Sequence, residues 1–232
     1  MIKISTLLCL MALCVSAQGQ KFSKEIRDFD HLIVSRGVEV MLEKSNSNTL
    51  DIEISGLDEN DLILENSGGY LRIKVKTRAL WEEMKDHHWW VKVTVPYKTL
   101  DYLEAGMGSS LHAREPIESS DLEIEASMGS EVDLPLKVAG LRLEASMGSE
   151  VDLEGEANEF EVNASMGSEV DTHNLECKTV KARATMGSEV RVNCTEEFDG
   201  KAGMGGSITV SGNPEKFYES TSMGGDISSR SF

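Results

Sequence analysis

Glu125-Ala-Ser-Met-Gly-Ser-Glu-Val-Asp-Leu134 is followed nineteen residues later by Glu144-Ala-Ser-Met-Gly-Ser-Glu-Val-Asp-Leu153. The Met-Gly pair recurs at 107, 128, 147, 166, 186, 204 and 223, with intervals of 18 to 21 residues. Residues 163–172 and 183–192 keep the centre of the motif, and the last two copies drift to Met-Gly-Gly, as in Ser222-Met-Gly-Gly-Asp-Ile227. Within a unit the period is two. Leu122, Ile124, Ala126, Met128, Val132 and Leu134 share one parity, and Glu123, Glu125, Ser127, Glu131 and Asp133 share the other. Such alternation marks half-buried strands, and a glycine after each methionine allows a bend. Apolar residues do not recur at three and four, which argues against an amphipathic helix.

A unit of about 19 residues with two short strands cannot bury its apolar face alone, but stacking units along an axis buries it. The expected fold is therefore all-β: a parallel β-solenoid whose equivalent side chains form ladders about 4.8 Å apart. On that reading Met107, Met128, Met147, Met166, Met186, Met204 and Met223 form an internal stack, beside a second stack of Ala105, Ala126, Ala145, Ala164, Ala184 and Ala202. Seven of the 11 methionines are thereby one repeat position, and a core of Ala, Met, Val and Leu agrees with only 6% aromatic residues. An antiparallel sandwich is the alternative, but it gives no reason for identical residues at a fixed interval. Residues 29–100 lack the motif yet still read as strands separated by turn signals at Arg36-Gly37, 45–48, 58–61 and 67–69. They form either less regular coils of the same solenoid or a cap over its exposed end.

The chain has 232 residues and a net charge of −17, with 40 acidic and 23 basic side chains. This balance argues against nucleic-acid binding and against docking on anionic lipid, both of which need clustered Lys and Arg. Residues 1–17 read as a secretory signal peptide: a basic start at Lys3, an apolar run from Ile4 to Val15 and small residues at the end, with cleavage expected between Ala17 and Gln18. A buried helix is the alternative for this run. Leu13 before Cys14 disfavours a lipoprotein anchor. Residues 18–28 form a short tail and 29–232 a single domain. The expected location is the periplasm, the outer membrane surface or the extracellular space, with no transmembrane span in the mature chain.

Several stretches together resemble one family. They are Phe29-Asp30 with Val34, Gly37, Val38 and Val40; Gly69, Leu71 and Ile73; Val91-x-Val93-Thr94-Val95-Pro96 leading to Leu100 and Leu103; and the small-residue turn ending in Asp226-Ile227. Their order over about 29–230 resembles the GIN-domain family, described as auto-transporter adhesin head domains of Bacteroidetes-type bacteria. The resemblance implies a right-handed β-helix, export, and no established catalytic residues. This chain departs from the family in placing Met where a small residue is usual, and it contains no translocating barrel.

The candidate sites are few. Glu131, Glu150, Glu169 and Glu189 form one outward acidic ladder, and Asp133, Asp152 and Asp171, ended by Arg191, form another. Stacked like charges repel, so a Ca²⁺-binding face is one reading and a solvated acidic surface the other. No other cofactor is implied. Trp81, Trp89 and Trp90 lie within ten residues, with His87 and His88 between them. Parity puts Trp89 in the core and Trp90 outside. Trp81, His87, His88 and Trp90 are therefore the candidate contacts for a surface ligand, glycan or protein, unless the segment buries its own aromatics. Cys177 and Cys194 fall at similar offsets before Val180 and Phe198, which makes them neighbours on successive coils and candidates for a disulfide; two free buried thiols are the alternative. No nucleophile motif, phosphate loop or His/Asp constellation occurs, and the acids are periodic rather than gathered in a cleft. The expected function is a non-enzymatic adhesin or ligand-binding domain. A purely structural envelope role and a carbohydrate-active β-helix enzyme are the alternatives.

Overall fold

A computed structural model of the chain describes residues 19–77 and 89–230. Its strands are β1 (Gln20–Glu25), β2 (His31–Ser35), β3 (Val38–Lys44), β4 (Thr49–Ser55), β5 (Leu62–Ser67), β6 (Tyr70–Val75), β7 (Trp90–Tyr97), β8 (Tyr102–Gly106), β9 (Ser110–Ala113) and β10 (Ile117–Ser127). They continue as β11 (Glu131–Ala145), β12 (Glu150–Ala164), β13 (Glu169–Thr185), β14 (Glu189–Gly203), β15 (Ser207–Ser211), β16 (Lys216–Ser222) and β17 (Asp226–Ser229). They wind into a β-solenoid of about 7 turns. Each regular coil has two runs joined at its Met-Gly turn, and the β2–β3 coil turns at Arg36-Gly37. The run before the turn stacks in parallel as β6, β2, β8, β10, β11, β12, β13, β14 and β16. The run after it stacks as β7, β3, β9, β11, β12, β13, β14, β15 and β17.

The repeat register is the sequence register. Glu131 pairs with Glu150, Val132 with Val151, Leu134 with Leu153 and Ala145 with Ala164. Inside, Leu103, Ile124, Leu143 and Val162 form one ladder, and Leu122, Leu141, Phe160, Val180 and Phe198 another; all are buried. The alanine stack from Ala105 to Ala202 is buried as expected. Buried apolar area of this kind, at roughly 25 cal/mol per Å², is the main term holding the coils together.

The methionine stack is a correction. Met107 to Met223 all point outward, with 43–78% of their surface exposed. The cause is the turn. Met128 has φ of 54° and Gly129 φ of 68°, a tight pair of left-handed residues, and the Ser130 N–H closes the turn on the Ser127 carbonyl at 3.3 Å. Space around Gly129 is open, so its backbone angle, not crowding, calls for glycine. The two left-handed residues swing Met128 out of the alternation, which resumes in the same phase beyond them: Ser130, Val132 and Leu134 are buried like Ala126. The inward place falls to a serine instead: Ser109, Ser130, Ser149, Ser168 and Ser188 are each about 1% exposed. Ser149 shows how such a hydroxyl is accommodated. Its Oγ accepts from the Ser146 N–H at 3.1 Å and donates to the Ala126 carbonyl of the preceding coil at 3.1 Å. Successive turns are also tied together, since the Gly129 N–H donates to the Met147 carbonyl at 3.1 Å and the Gly148 N–H to that of Met166.

The N-terminal strands are both coils and cap. β2 and β3 form a coil around Arg36-Gly37, and β6 and β7 belong to another. In space the β2–β3 coil lies between the β6–β7 coil and the β8–β9 coil, although it comes first in sequence. Beyond β6 and β7 the pairing changes direction: β5 runs antiparallel to β6, β4 antiparallel to β7, and β1 antiparallel to β4. These antiparallel strands cover the end of the stack. At the other end β16 is exposed along its whole length, and Phe217 covers Phe198 with ring centroids 5.0 Å apart.

Candidate functional site

A groove of about 780 Å³ runs across successive coils on the outer face of the run before each turn. It follows one register column. Tyr70, His31, Tyr102, Glu123, Arg142, Glu161, Lys181 and Asp199 are successive partners, one per coil. One end is aromatic: the His31 ring lies 4.6 Å from Tyr70 and 5.6 Å from Tyr102, nearly parallel to the latter. His31 Nδ1 is 2.7 Å from Asp30. The rest alternates in sign, with Arg142 3.9 Å from Glu161. A second outward column, Asp121, Gly140, Glu159, Thr179 and Glu197, forms the opposite wall. Gly140 lowers that wall at its middle. Burial pushes the Tyr102 phenol far above its ordinary range, and Glu104 and Glu125 add to the effect, so it stays a neutral hydrogen-bonding group. This volume, with an aromatic end and a few placed polar groups, is of the size that holds a ligand segment. His31 had looked isolated in sequence. The signal that could have found the groove is the residue five places before each turn's Met, or before Arg36 in the first coil, read down the repeat instead of along the chain.

The two acidic ladders stand on the other run, in register as expected: Glu131, Glu150, Glu169 and Glu189, and beside them Asp133, Asp152 and Asp171. Both are bounded by bases or neutral residues. His112 stands one coil before Asp133, and Arg191 one coil after Asp171. The Arg191 guanidinium donates to Glu169 at 2.9 Å, Asp171 at 3.0 Å and Glu189 at 2.6 Å. Asp152 sits mid-ladder, and its carboxyl is raised above the usual range by partial burial and by Asp171 and Asp133. Burial acts the same way on Asp171, but hydrogen bonds from His173 and Arg191 outweigh it and hold that carboxyl below the usual range. Among the described residues, no group of three or more His, Cys, Asp or Glu side chains converges tightly enough to hold a metal ion. The ladders are lines of charge rather than a cage.

Of the proposed aromatic contacts, Trp81, His87 and His88 lie outside the described residues. Trp90 opens β7 on the cap, pairs with Ser55 and faces outward at 36% exposure, with its ring against Gly19. Trp89 packs against the core, its ring lying over Gly37. Trp90 is on a different face from the groove, so the structure does not bring the two together. Cys177 and Cys194 are direct partners on adjacent coils, both buried and both thiols. Cys177 Sγ donates to the Leu175 carbonyl at 3.5 Å and Cys194 Sγ to the Glu197 carbonyl at 3.2 Å. No helix among the described residues is long and apolar enough to cross a membrane.

Comparison with solved structures returns the same fold. A crystal structure described as "a putative adhesin" from Bacteroides fragilis NCTC 9343 superposes with a TM-score of 0.78 at 18% identity, covering 93% of this chain and 98% of the other. One described as a "Putative lipid binding protein" from Parabacteroides distasonis ATCC 8503 gives 0.68 at 17% identity, covering 92% and 97%. Another "putative adhesin", from Parabacteroides merdae ATCC 43184, gives 0.66 at 16%, covering 92% and 96%. Comparison with functionally curated proteins finds no match. The family model described as "Putative auto-transporter adhesin, head GIN domain" matches residues 28–214, and the chain belongs to that family.

Proposed function

We propose that this domain is an exported, non-enzymatic binding module of the cell envelope that holds an extended polar polymer, a glycan chain, along the His31–Lys181 groove. The groove itself carries this reading. It is continuous over several coils, aromatic at one end for stacking on sugar rings, and lined beyond that by side chains that donate and accept hydrogen bonds in alternation. Glu123, Arg142, Glu161 and Lys181 alternate in sign along one wall, but with Asp101, Asp121, Glu159 and Glu197 included the carboxylates outnumber the two bases, so the groove shares the acidity of the chain. A neutral polar polymer suits such a strip better than a polyanion. Its carboxylates are spread over several coils, which suits contact along a length rather than chemistry at one bond.

The test is a glycan array probed with the mature domain, followed by affinity measurements on hits. The double variant Arg142→Ala/Lys181→Ala should weaken binding at least tenfold while Trp90→Ala leaves it unchanged. Loss of binding in Trp90→Ala alone would move the contact to the 79–90 segment, and absence of any glycan binding would overturn the proposal.

A further inference from the structure

The seven outward methionines form a rail along one corner of the solenoid, a feature the groove does not use. They occupy a place for which Met is a poor choice. Their φ angles lie between 47° and 54°, a region that glycine or asparagine enters at lower cost. The side chains gain no enclosed packing from it, being 43–78% exposed. Arg36, with φ of 64°, starts the same line: its Gly37 N–H donates to the Met107 carbonyl, and the turns then follow one another by the same bond to Met204. A leucine would supply as much apolar surface and a lysine more solubility. What methionine alone adds is a thioether sulfur on a flexible stem.

We propose that the rail binds soft monovalent cations, copper(I) or silver(I), each held by the sulfurs of neighbouring turns. Thioethers select such ions over Ca²⁺, Mg²⁺ or Zn²⁺ because ligand and metal are both soft. The geometry is suitable. The Gly-to-Met hydrogen bonds of 3.1–3.2 Å hold successive turns in register, so consecutive methionines leave the backbone about one strand spacing, roughly 4.8 Å, apart. With metal–sulfur bonds near the roughly 2.3 Å seen for metal–thiolate pairs, two sulfurs sharing one ion stand about 4–4.6 Å apart, which the free torsions of methionine reach. Seven sulfurs shared two or three to an ion hold about two to three ions per chain. A net charge of −17 raises the local concentration of any cation.

Silver(I), which needs no reductant, is the probe. The mature chain, carrying ¹³C in its methionine methyl groups, is titrated with silver nitrate in chloride-free buffer. The methyl signals of Met128, Met147, Met166 and Met186 should shift together while that of Met41, a half-buried residue off the rail, stays in place. The variant Met128→Leu/Met147→Leu/Met166→Leu/Met186→Leu, made with Cys177→Ala and Cys194→Ala to remove the thiols, should bind silver at least tenfold more weakly than its parent with only the cysteines changed. Equal binding by the two, or rail methyl signals that do not move in the folded wild type, would overturn the proposal. Should the multiple variant not fold, the wild-type methyl spectrum decides alone.

Discussion

Replacing the buried turn serines one at a time should give unequal results, although the residues are repeats of one another. Ser149 accepts from the Ser146 N–H and donates to the Ala126 carbonyl, both at 3.1 Å. In Ser149→Ala both bonds disappear. The Ser146 N–H is not orphaned, because it also donates to the Ala126 carbonyl at 2.9 Å. The loss is then the net value of two neutral hydrogen bonds, one of them shared, or roughly 1–2 kcal/mol. For a chain of this length each kcal/mol is worth about 2–4 °C, so the melting temperature should fall by about 2–8 °C. Ser130 occupies the same place one coil earlier, but its buried hydroxyl has no hydrogen-bond partner. Ser130→Ala removes an unpaired polar atom and leaves a methyl group in an apolar site, so its stability should change by less than about 0.5 kcal/mol in either direction. Urea titrations of the two variants and their parent, followed by far-ultraviolet circular dichroism, measure the difference. Equal losses in both variants, or a neutral Ser149→Ala, would refute the claim that hydrogen bonding to the preceding coil decides the value of each serine.

Four further outcomes are expected. Gly155 has φ of 112°, and a Cβ there would run into the Leu136 carbonyl, so Gly155→Ala should lose about 3 kcal/mol in the same titration; a neutral result would mean the neighbouring coils separate easily. Asp152 has a raised carboxyl pKa in the folded chain, so its charge opposes folding at neutral pH and the penalty fades as pH falls through its titration. Asp152→Asn should therefore add a few tenths of a kcal/mol at pH 7 and nothing at pH 3, and a gain that persists in acid would contradict the electrostatic cause. Calcium at millimolar concentration, with ionic strength matched, should leave the melting temperature unchanged because the ladder carboxylates do not converge; a rise would show that the ladders bind it. Burial pushes the Cys177 thiol up to about 12, so the native mature chain should resist alkylation at pH 8 and take up two alkyl groups once unfolded in urea. An intact mass lower by two hydrogens, restored by reductant, would instead establish a disulfide with Cys194.

Much of the architecture was legible because a solenoid writes its period into the chain. The parity of Leu122, Ile124 and Ala126 gave the inner face, and identical residues at nineteen-residue intervals gave the stacking. What failed was the placement of the turn residue Met128 itself. Parity describes side chains only where the backbone is extended: the left-handed Met128 left the pattern and went outward, while Ser130, Val132 and Leu134 beyond it kept the parity of Ala126 and are buried. The placement of the 31–44 coil between two later ones was not readable either, since Val38 and Val91 are as suitable neighbours as any other pair of valines. The groove was hidden for a different reason. His31, Tyr102, Arg142 and Lys181 differ in type and are far apart in sequence, and only the register makes them a surface. Asp30 belongs to the Phe29-Asp30 stretch that carries the family resemblance, but nothing in that stretch points to Tyr102.

The position of the 31–44 coil also governs when the protein can fold. A chain leaves the ribosome N-terminus first, yet β2 and β3 find their neighbours in residues 70–75, 91–97, 102–106 and 110–113. The first coil to be synthesised is thus a latecomer, kept waiting with its valines and leucines uncovered until roughly the whole first half of the chain exists. The repeats from 117 onward meet their partners about nineteen residues away and close at once. Contacts of short sequence separation form faster than distant ones, so assembly is expected to run opposite to emergence, with the regular half setting first as the template on which the earlier half is completed. Interruption between those two stages leaves the 31–44 strands unpaired, and that interval, not the finished solenoid, is where a holding chaperone would be needed.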